Sequence, residues 1–152
     1  MIQAYQTATD MLDGLTPYAA LLARLAVGLM FALSGWCKLT NGAQHAKMRR
    51  SLQDAGIPAP EAQSWFVSAC ELAFGALLAL GLVTPLSAGV LAIIGLVALV
   101  TVTAKSVEGV SPLLRLSSFL YTPEVLLLVL LTWMIVSGPG ALSLDGALGL
   151  AG

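Results

Sequence analysis

Four stretches of this chain are apolar for long enough to cross a lipid bilayer, and no other property narrows its possible folds so far. A spanning helix needs roughly 20 apolar residues to cover about 30 Å of hydrocarbon. Runs of that kind extend over 17–39, 62–83, 85–104 and 117–138, the last starting at either Ser117 or Pro123. Only a tight Thr84-Pro85 corner separates the second from the third, and Gly138-Pro139-Gly140 ends the fourth. Such residues do not readily continue a helix. Of the 152 residues 58% are hydrophobic and only 10% charged, which is more apolar surface than a soluble domain of this length can hide. The expected fold is therefore an all-α integral membrane protein, a four-transmembrane-helix bundle forming one membrane domain over 1–152.

The first run has no basic segment before it and exceeds the usual signal-peptide core of about 7 to 15 residues, so it is expected to stay in the mature protein. Of the seven Lys and Arg residues all but Arg24 fall in or beside the first and third loops. By the positive-inside rule these loops are expected to be cytoplasmic, in a cell inner membrane. The first loop, 40–60, sets His45, Lys47, Arg49 and Arg50 beside Met48, Leu52 and Ile57. It reads either as an interfacial amphipathic helix or as a solvated basic connector. Thr122-Pro123-Glu124 reads as N-cap, N1 and N2 of a helix, in which case the fourth span starts late and 113–121 lies along the interface. A net charge of −1 without a basic tract gives no reason to expect a nucleic-acid partner; the lipid bilayer is the expected surrounding.

Charged residues inside such runs are the functional candidates, because a lone Arg, Lys or Glu at mid-bilayer costs about 2.5 to 3.5 kcal/mol on insertion scales and so faces protein. Glu71 sits near the middle of the second run. Ser64, Ser68, Gly75 and Ala79 share its face, and small residues at that spacing let a neighbouring helix approach closely. In the first run Arg24, Gly28, Phe31, Gly35 and Lys38 advance by alternating steps of four and three, forming one stripe that is polar at both ends. Either cation is long enough to reach toward Glu71. Lys105 ends the third run and Glu124 opens the fourth, so that Arg24, Lys38, Glu71, Lys105 and Glu124 together make a candidate substrate-binding cavity. Each has a plainer reading: Lys38 and Lys105 snorkel to headgroups, Glu124 complements a helix dipole, and Glu71 with Arg24 is a structural ion pair. Gly89 and Gly95 suit either the bundle core or a contact between copies.

The inventory also excludes chemistry. One histidine, His45, rules out bis-His haem, and two cysteines cannot hold a four-thiolate cluster within the chain. No dinucleotide fingerprint, Walker loop or Ser/His/Asp set is present. No metal site is expected; Cys37 and Cys70 are the weak alternative, as a soft-metal or redox pair, against the commoner role of small apolar fillers. A lipid-soluble redox carrier remains compatible. Its carbonyl oxygens want a hydrogen bond from Lys or Arg, and its reduction wants a proton donor such as Glu71, the expected catalytic residue. Trp36, Trp65, Phe66, Phe119 and Tyr121 either pack against such a ring or form interfacial belts.

The same residues carry a resemblance. Arg24-Leu25-Ala26-Val27-Gly28-Leu29-Met30-Phe31, then Ser34-Gly35-Trp36-Cys37-Lys38-Leu39, Gly56-Ile57-Pro58, Glu71-Leu72-Ala73-Phe74-Gly75, Gly81-Leu82-Val83-Thr84-Pro85 and finally Ser143-Leu144-Asp145 follow one another in an order and spacing that resembles the DoxX family. The resemblance implies a small four-helix membrane protein linked to quinone-dependent redox chemistry, with relatives among the membrane subunits of thiosulfate:quinone oxidoreductase. By motif it carries over Arg24, Lys38 and Glu71, but not Lys105 or Glu124. The expectation is a membrane subunit with no intrinsic cofactor, holding a quinone near Glu71 and served by a partner protein that brings the redox group; a homo-oligomer is open to it as well. A scaffold docking soluble partners through the first loop, and a passage for a small solute or metal, stay open beside it.

Overall fold

Proline marks the start of nearly every long helix. In the computed structural model, which describes residues 6, 14–103 and 111–149, the elements are α1 (Thr16–Thr40), α2 (Gly42–Asp54), α3 (Pro60–Leu80), α4 (Thr84–Ala98), α5 (Pro112–Leu120), α6 (Pro123–Ser137) and α7 (Leu144–Ala147). Leu99–Thr103 continues α4 as a π-helical turn. Pro17, Pro60, Pro85, Pro112 and Pro123 all occupy the first turn of their helices, where a missing N–H costs nothing. Among the described residues there is no strand.

Helices α1, α3 and the continuous Thr84–Thr101 stretch are each long and apolar enough to cross a membrane. The fourth run does not form one unbroken helix from 117 to 138. It breaks at Tyr121-Thr122 into α5 and α6, whose axes differ by 54°, and the pair counts as a crossing only if taken together. The physical cause is Pro123, which disfavours helical geometry in the residue before it and starts a new helix instead. Helix α5 buries none of its side chains, with Leu113 82% exposed, and Tyr121 just after it is 87% exposed. Large apolar side chains also point outward along the longer helices, among them Leu22, Leu33, Phe66, Ile93 and Val136. In water this surface is untenable, whereas in a bilayer it is what lipid tails contact. The chain is a multi-pass membrane protein.

Backbone proximity joins α1 to α3. A Cβ added at Gly28 would stand 2.5 Å from the Ala79 backbone nitrogen, at Gly35 2.5 Å from that of Leu72, and at Gly75 2.5 Å from that of Ala32. All three glycines lie on the stripes expected to face protein, and small residues allow the dispersion contact and helix approach that associate helices where no water drives them together. Ser64, Ser68, Glu71 and Gly75 are buried on the facing side of α3. The apolar core gathers Val27 and Phe31 of α1, Leu78 of α3, Ala88 and Leu91 of α4, and Leu131 and Met134 of α6. A Cβ added at Gly95 would stand 3.7 Å from Leu128 of α6, which assigns this glycine to the packing of α4 on α6, while one at Gly89 would have nothing within 4 Å.

Two features at opposite ends complete the frame. The first loop is helical. Asn41 caps α2 by accepting from the Ala43 N–H at 3.0 Å, Leu52 is buried, and Arg49 donates to Glu61 at the start of α3 at 2.8 Å. At the other end Gly81, with φ +71°, terminates α3 in the left-handed conformation that suits glycine. Val83 follows with φ +47°, unusual for a β-branched residue. Asp145 secures this corner: its carboxylate accepts the Val83 and Thr84 N–H groups at 2.8 and 2.9 Å, capping α4, and its own N–H donates to Gly81 O at 2.9 Å.

Candidate functional site

The polar stripe of α1 divides into two unrelated sites. Fourteen residues of helix place Arg24 and Lys38 about 21 Å apart along the axis, so they serve opposite ends of the fold. Arg24 is buried, yet it does not meet Glu71. Its guanidinium donates to the carbonyl oxygens of Pro139 and Leu142, and its charge acts on Asp145. Gly81 makes room for it, since a Cβ there would lie 2.9 Å from the Arg24 Cζ. Burial pushes the Asp145 carboxyl up, but the Thr84 and Val83 N–H groups and the Arg24 charge outweigh it, so that it titrates below the ordinary aspartate range. This cluster ties the C-terminal segment to the corner between α3 and α4 and belongs to the architecture.

Glu71 pairs with Lys38. The Lys38 Nζ donates to Oε2 at 2.6 Å and to Oε1 at 2.8 Å, and Ser34 Oγ donates to Oε2 at 3.2 Å. The side chain of Glu71 is 7% exposed and that of Lys38 22%, so the carboxylate is sealed while the ammonium keeps an open side. The spacing of Ser34 and Lys38, four residues apart, stacks them on one face of α1, where both address a single carboxylate on α3. A buried charge needs this degree of satisfaction, and removing Lys38 would leave Oε1 without a bond, whereas removing Ser34 would leave Oε2 to Lys38 alone.

Two apolar clefts meet on this pair. One, of about 290 Å³, is roofed by Met48, Ser51 and Leu52 of α2 and walled by Gln63 and Val67 of α3 and by Ile93 and Val97 of α4. The other, of about 300 Å³, lies between α1, α4 and α6 and is lined by Phe31, Ser34, Ile94, Leu127 and Leu131, with Glu124 at its margin. Lys38, Glu71, Ile94 and Ala98 border both. An apolar wall with a few convergent polar groups is the usual constitution of a small-molecule site, and each cleft sits at the small end of the usual range of about 300–1,000 Å³.

Of the residues singled out in the sequence, Lys38, Glu71 and Glu124 thus share one cleft, Arg24 lies at the far end, and Lys105 lies outside the described residues. Cys37 and Cys70 are both free thiols, Cys37 exposed. Among the described residues no three His, Cys, Asp or Glu side chains come together. The aromatic residues considered for ring packing do not line either cleft; Phe31 does so instead. Trp36 and Phe66 face outward, and Trp65 stacks against His45 with ring centroids 4.2 Å apart. Sequence patterning does not single out Ser34, Gln63 or the roof residues of α2 as site residues. The Ser34 to Lys38 interval was the available signal for the first, whereas nothing local announces that α2 folds back over Glu71.

Fold and site together define a multi-pass membrane protein with one sealed carboxylate held between its first two long helices, facing two apolar clefts. The chain belongs to the DoxX family: the family model DoxX matches residues 19–104, which runs from the first turn of α1 through α4 and includes Lys38 and Glu71. Glu124 and Asp145 lie beyond the matched region. No curated protein and no solved structure matches the chain.

Proposed function

We propose that this DoxX-family protein is a four-helix membrane subunit of a redox system, in which α1, α3, α4 and the α5–α6 pair cross the bilayer and the Lys38–Glu71 pair holds a quinone-type carrier. The observation that carries the reading is the combination of a sealed carboxylate and a half-open ammonium at the meeting point of two apolar clefts. A ring with oxygen substituents and an isoprenoid or alkyl tail wants this pairing of one hydrogen-bonding wall with apolar surroundings.

The residues present fit such a carrier. Lys38 Nζ has three donors and spends two on Glu71, so the third is free to donate to a ring oxygen. Glu71, in contact with Lys38 and Ser34, is the group to hold or pass a proton at Oε1 or Oε2. A bound quinone supplies two-electron, two-proton chemistry. One histidine and two cysteines in the chain leave electron delivery to a partner protein. The charge bias supports an orientation with the first and third loops, hence α2 and the roofed cleft, on the cytoplasmic side of a cell inner membrane and the Arg24–Asp145 end opposite.

The test is the quinone content of protein purified in mild detergent, measured by solvent extraction and chromatography. Wild type retains quinone in near-stoichiometric amount; Lys38→Met and Glu71→Gln lose it, while Asp54→Asn, which lines neither cleft, does not. Retention by both site variants at the wild-type level removes the pair from the site.

A second reading draws on one specific observation. Arg49 of α2 is engaged with Glu61, but Lys47 and Arg50 are exposed on the outer face of that helix beside Asp54. This face suits a scaffold that docks an acidic partner. Charge reversal at Lys47 and Arg50 then abolishes co-purification of partner proteins and leaves quinone content intact, which separates docking from carrier binding.

A further inference from the structure

The cleft between α1, α4 and α6 contains a polar atom that the Lys38–Glu71 pair does not serve. Glu124, in the first turn of α6, borders this cleft together with Ser34, Lys38 and Glu71. Among the described residues its Oε2 is buried and has no hydrogen-bond partner. Placement near a helix N-terminus accounts for a negative charge at this position. It does not account for a buried oxygen without a donor, which native structures rarely leave unexplained.

Two polar groups that line the cleft make opposite demands. Lys38 has only donors and asks for an acceptor, while a carboxylate has only acceptors and asks for a donor. Both oxygens of Glu71 already receive hydrogen bonds, so the unmet demand is that of Glu124. Apolar side chains, Phe31, Ile94, Leu127 and Leu131, fill the surface around them.

We infer that Glu124 accepts a hydrogen bond from a hydroxyl of the bound ligand, so that this cleft selects the reduced, hydroxyl-bearing form of the carrier, a quinol, over the quinone. The inference rests on the reading that the cleft holds a quinone-type ring. A quinol meets both demands, since one oxygen accepts from Lys38 and the other hydroxyl donates to Glu124. A quinone satisfies Lys38 but sets a second carbonyl oxygen against the lone pairs of Glu124, a repulsive contact that discriminates against it. Discrimination by a polar group left unpaired is stronger than discrimination by apolar fit.

The experiment uses the full chain in lipid nanodiscs stripped of endogenous quinone, titrated anaerobically with a short-chain benzoquinol and with the matching benzoquinone by calorimetry. Wild type binds the quinol about tenfold more tightly, the scale of one hydrogen bond to a charged group. Glu124→Leu weakens quinol binding about tenfold and leaves quinone binding unchanged, which erases the preference. Glu124→Gln, of the same shape but with an amide N–H to offer, shifts the preference toward the quinone, and it keeps the test decisive if the Leu variant fails to fold. Equal affinity of wild type for both forms, or parallel weakening of both in the variants, overturns the inference and leaves carrier binding at Lys38–Glu71 standing. Binding of neither form by wild type overturns that reading as well.

Discussion

Lys38 on α1 and Glu71 on α3 form an ion pair with Nζ–Oε2 at 2.6 Å, and both apolar clefts border it. The helices that carry these residues are the ones whose backbones touch through Gly28, Gly35 and Gly75. Contact of the backbones and the pairing of charges are therefore one construction, because only helices this close bring a lysine end over a mid-helix carboxylate. Its consequences can be measured.

Breaking the pair from one side costs more than removing both charges. Lys38→Met leaves a sealed carboxylate short of its main donor, and a destabilisation of about 3–5 kcal/mol is expected by analogy with other broken buried pairs. Lys38→Met combined with Glu71→Leu restores most of that loss, since no charge is left without a partner. Thermal denaturation in detergent reads the stabilities, and the double variant should still lack quinone. A double variant as unstable as the single one would show that the pair is worth more than the apolar packing that replaces it.

Substitution at the helix crossing separates two kinds of glycine. Gly28→Leu or Gly75→Leu drives a side chain into the opposing backbone, which has no flexible end to move, and abolishes the folded state as seen by size-exclusion chromatography. Gly89→Ala meets nothing within 4 Å and should be neutral or slightly stabilising, because alanine favours the helix by up to about 1 kcal/mol. Loss of monodispersity in Gly89→Ala would instead identify that position as a contact between copies.

Asp145 makes the far end sensitive to acid. Its folded-state titration lies below the ordinary aspartate value of about 3.9, so its stabilisation is complete above that value and is lost as the pH falls through the folded one. The melting temperature of wild type should exceed that of Asp145→Asn by a constant margin from pH 7 down to about 4, and the margin should shrink below it. A margin independent of pH down to 3 would mean that the cap acts through shape rather than charge.

The clasp on α2 is weak by comparison. Arg49 and Glu61 are 44% and 58% exposed in their side chains, so the pair contributes little and is screened by salt. Arg49→Ala should lower the melting temperature only slightly at low ionic strength and not at all at high. Because α2 roofs one cleft, hydrogen exchange of residues 42–54 should rise in this variant while that of α1 and α3 stays unchanged.

What the chain determines by itself is the element map. Long apolar runs require lipid, prolines at 17, 60, 85, 112 and 123 set helix starts, and the stripe from Arg24 to Lys38 faces protein because charge and small residues there have no place in lipid. The same reasoning makes Glu71 a protein-facing acid, as it is. Sequence periodicity gives a face but no depth and no partner. Either cation of α1 satisfies it, and the choice falls to Lys38, which with Ser34 binds the carboxylate, while Arg24 is taken up by carbonyls of a segment more than a hundred residues away. Asp145 and α2 show the same limit, since each acts on residues distant in the chain. Local rules specify where a helix begins and which side is wet, whereas the pairing of buried charges is decided by which backbones can approach, and that is a property of the packed structure alone.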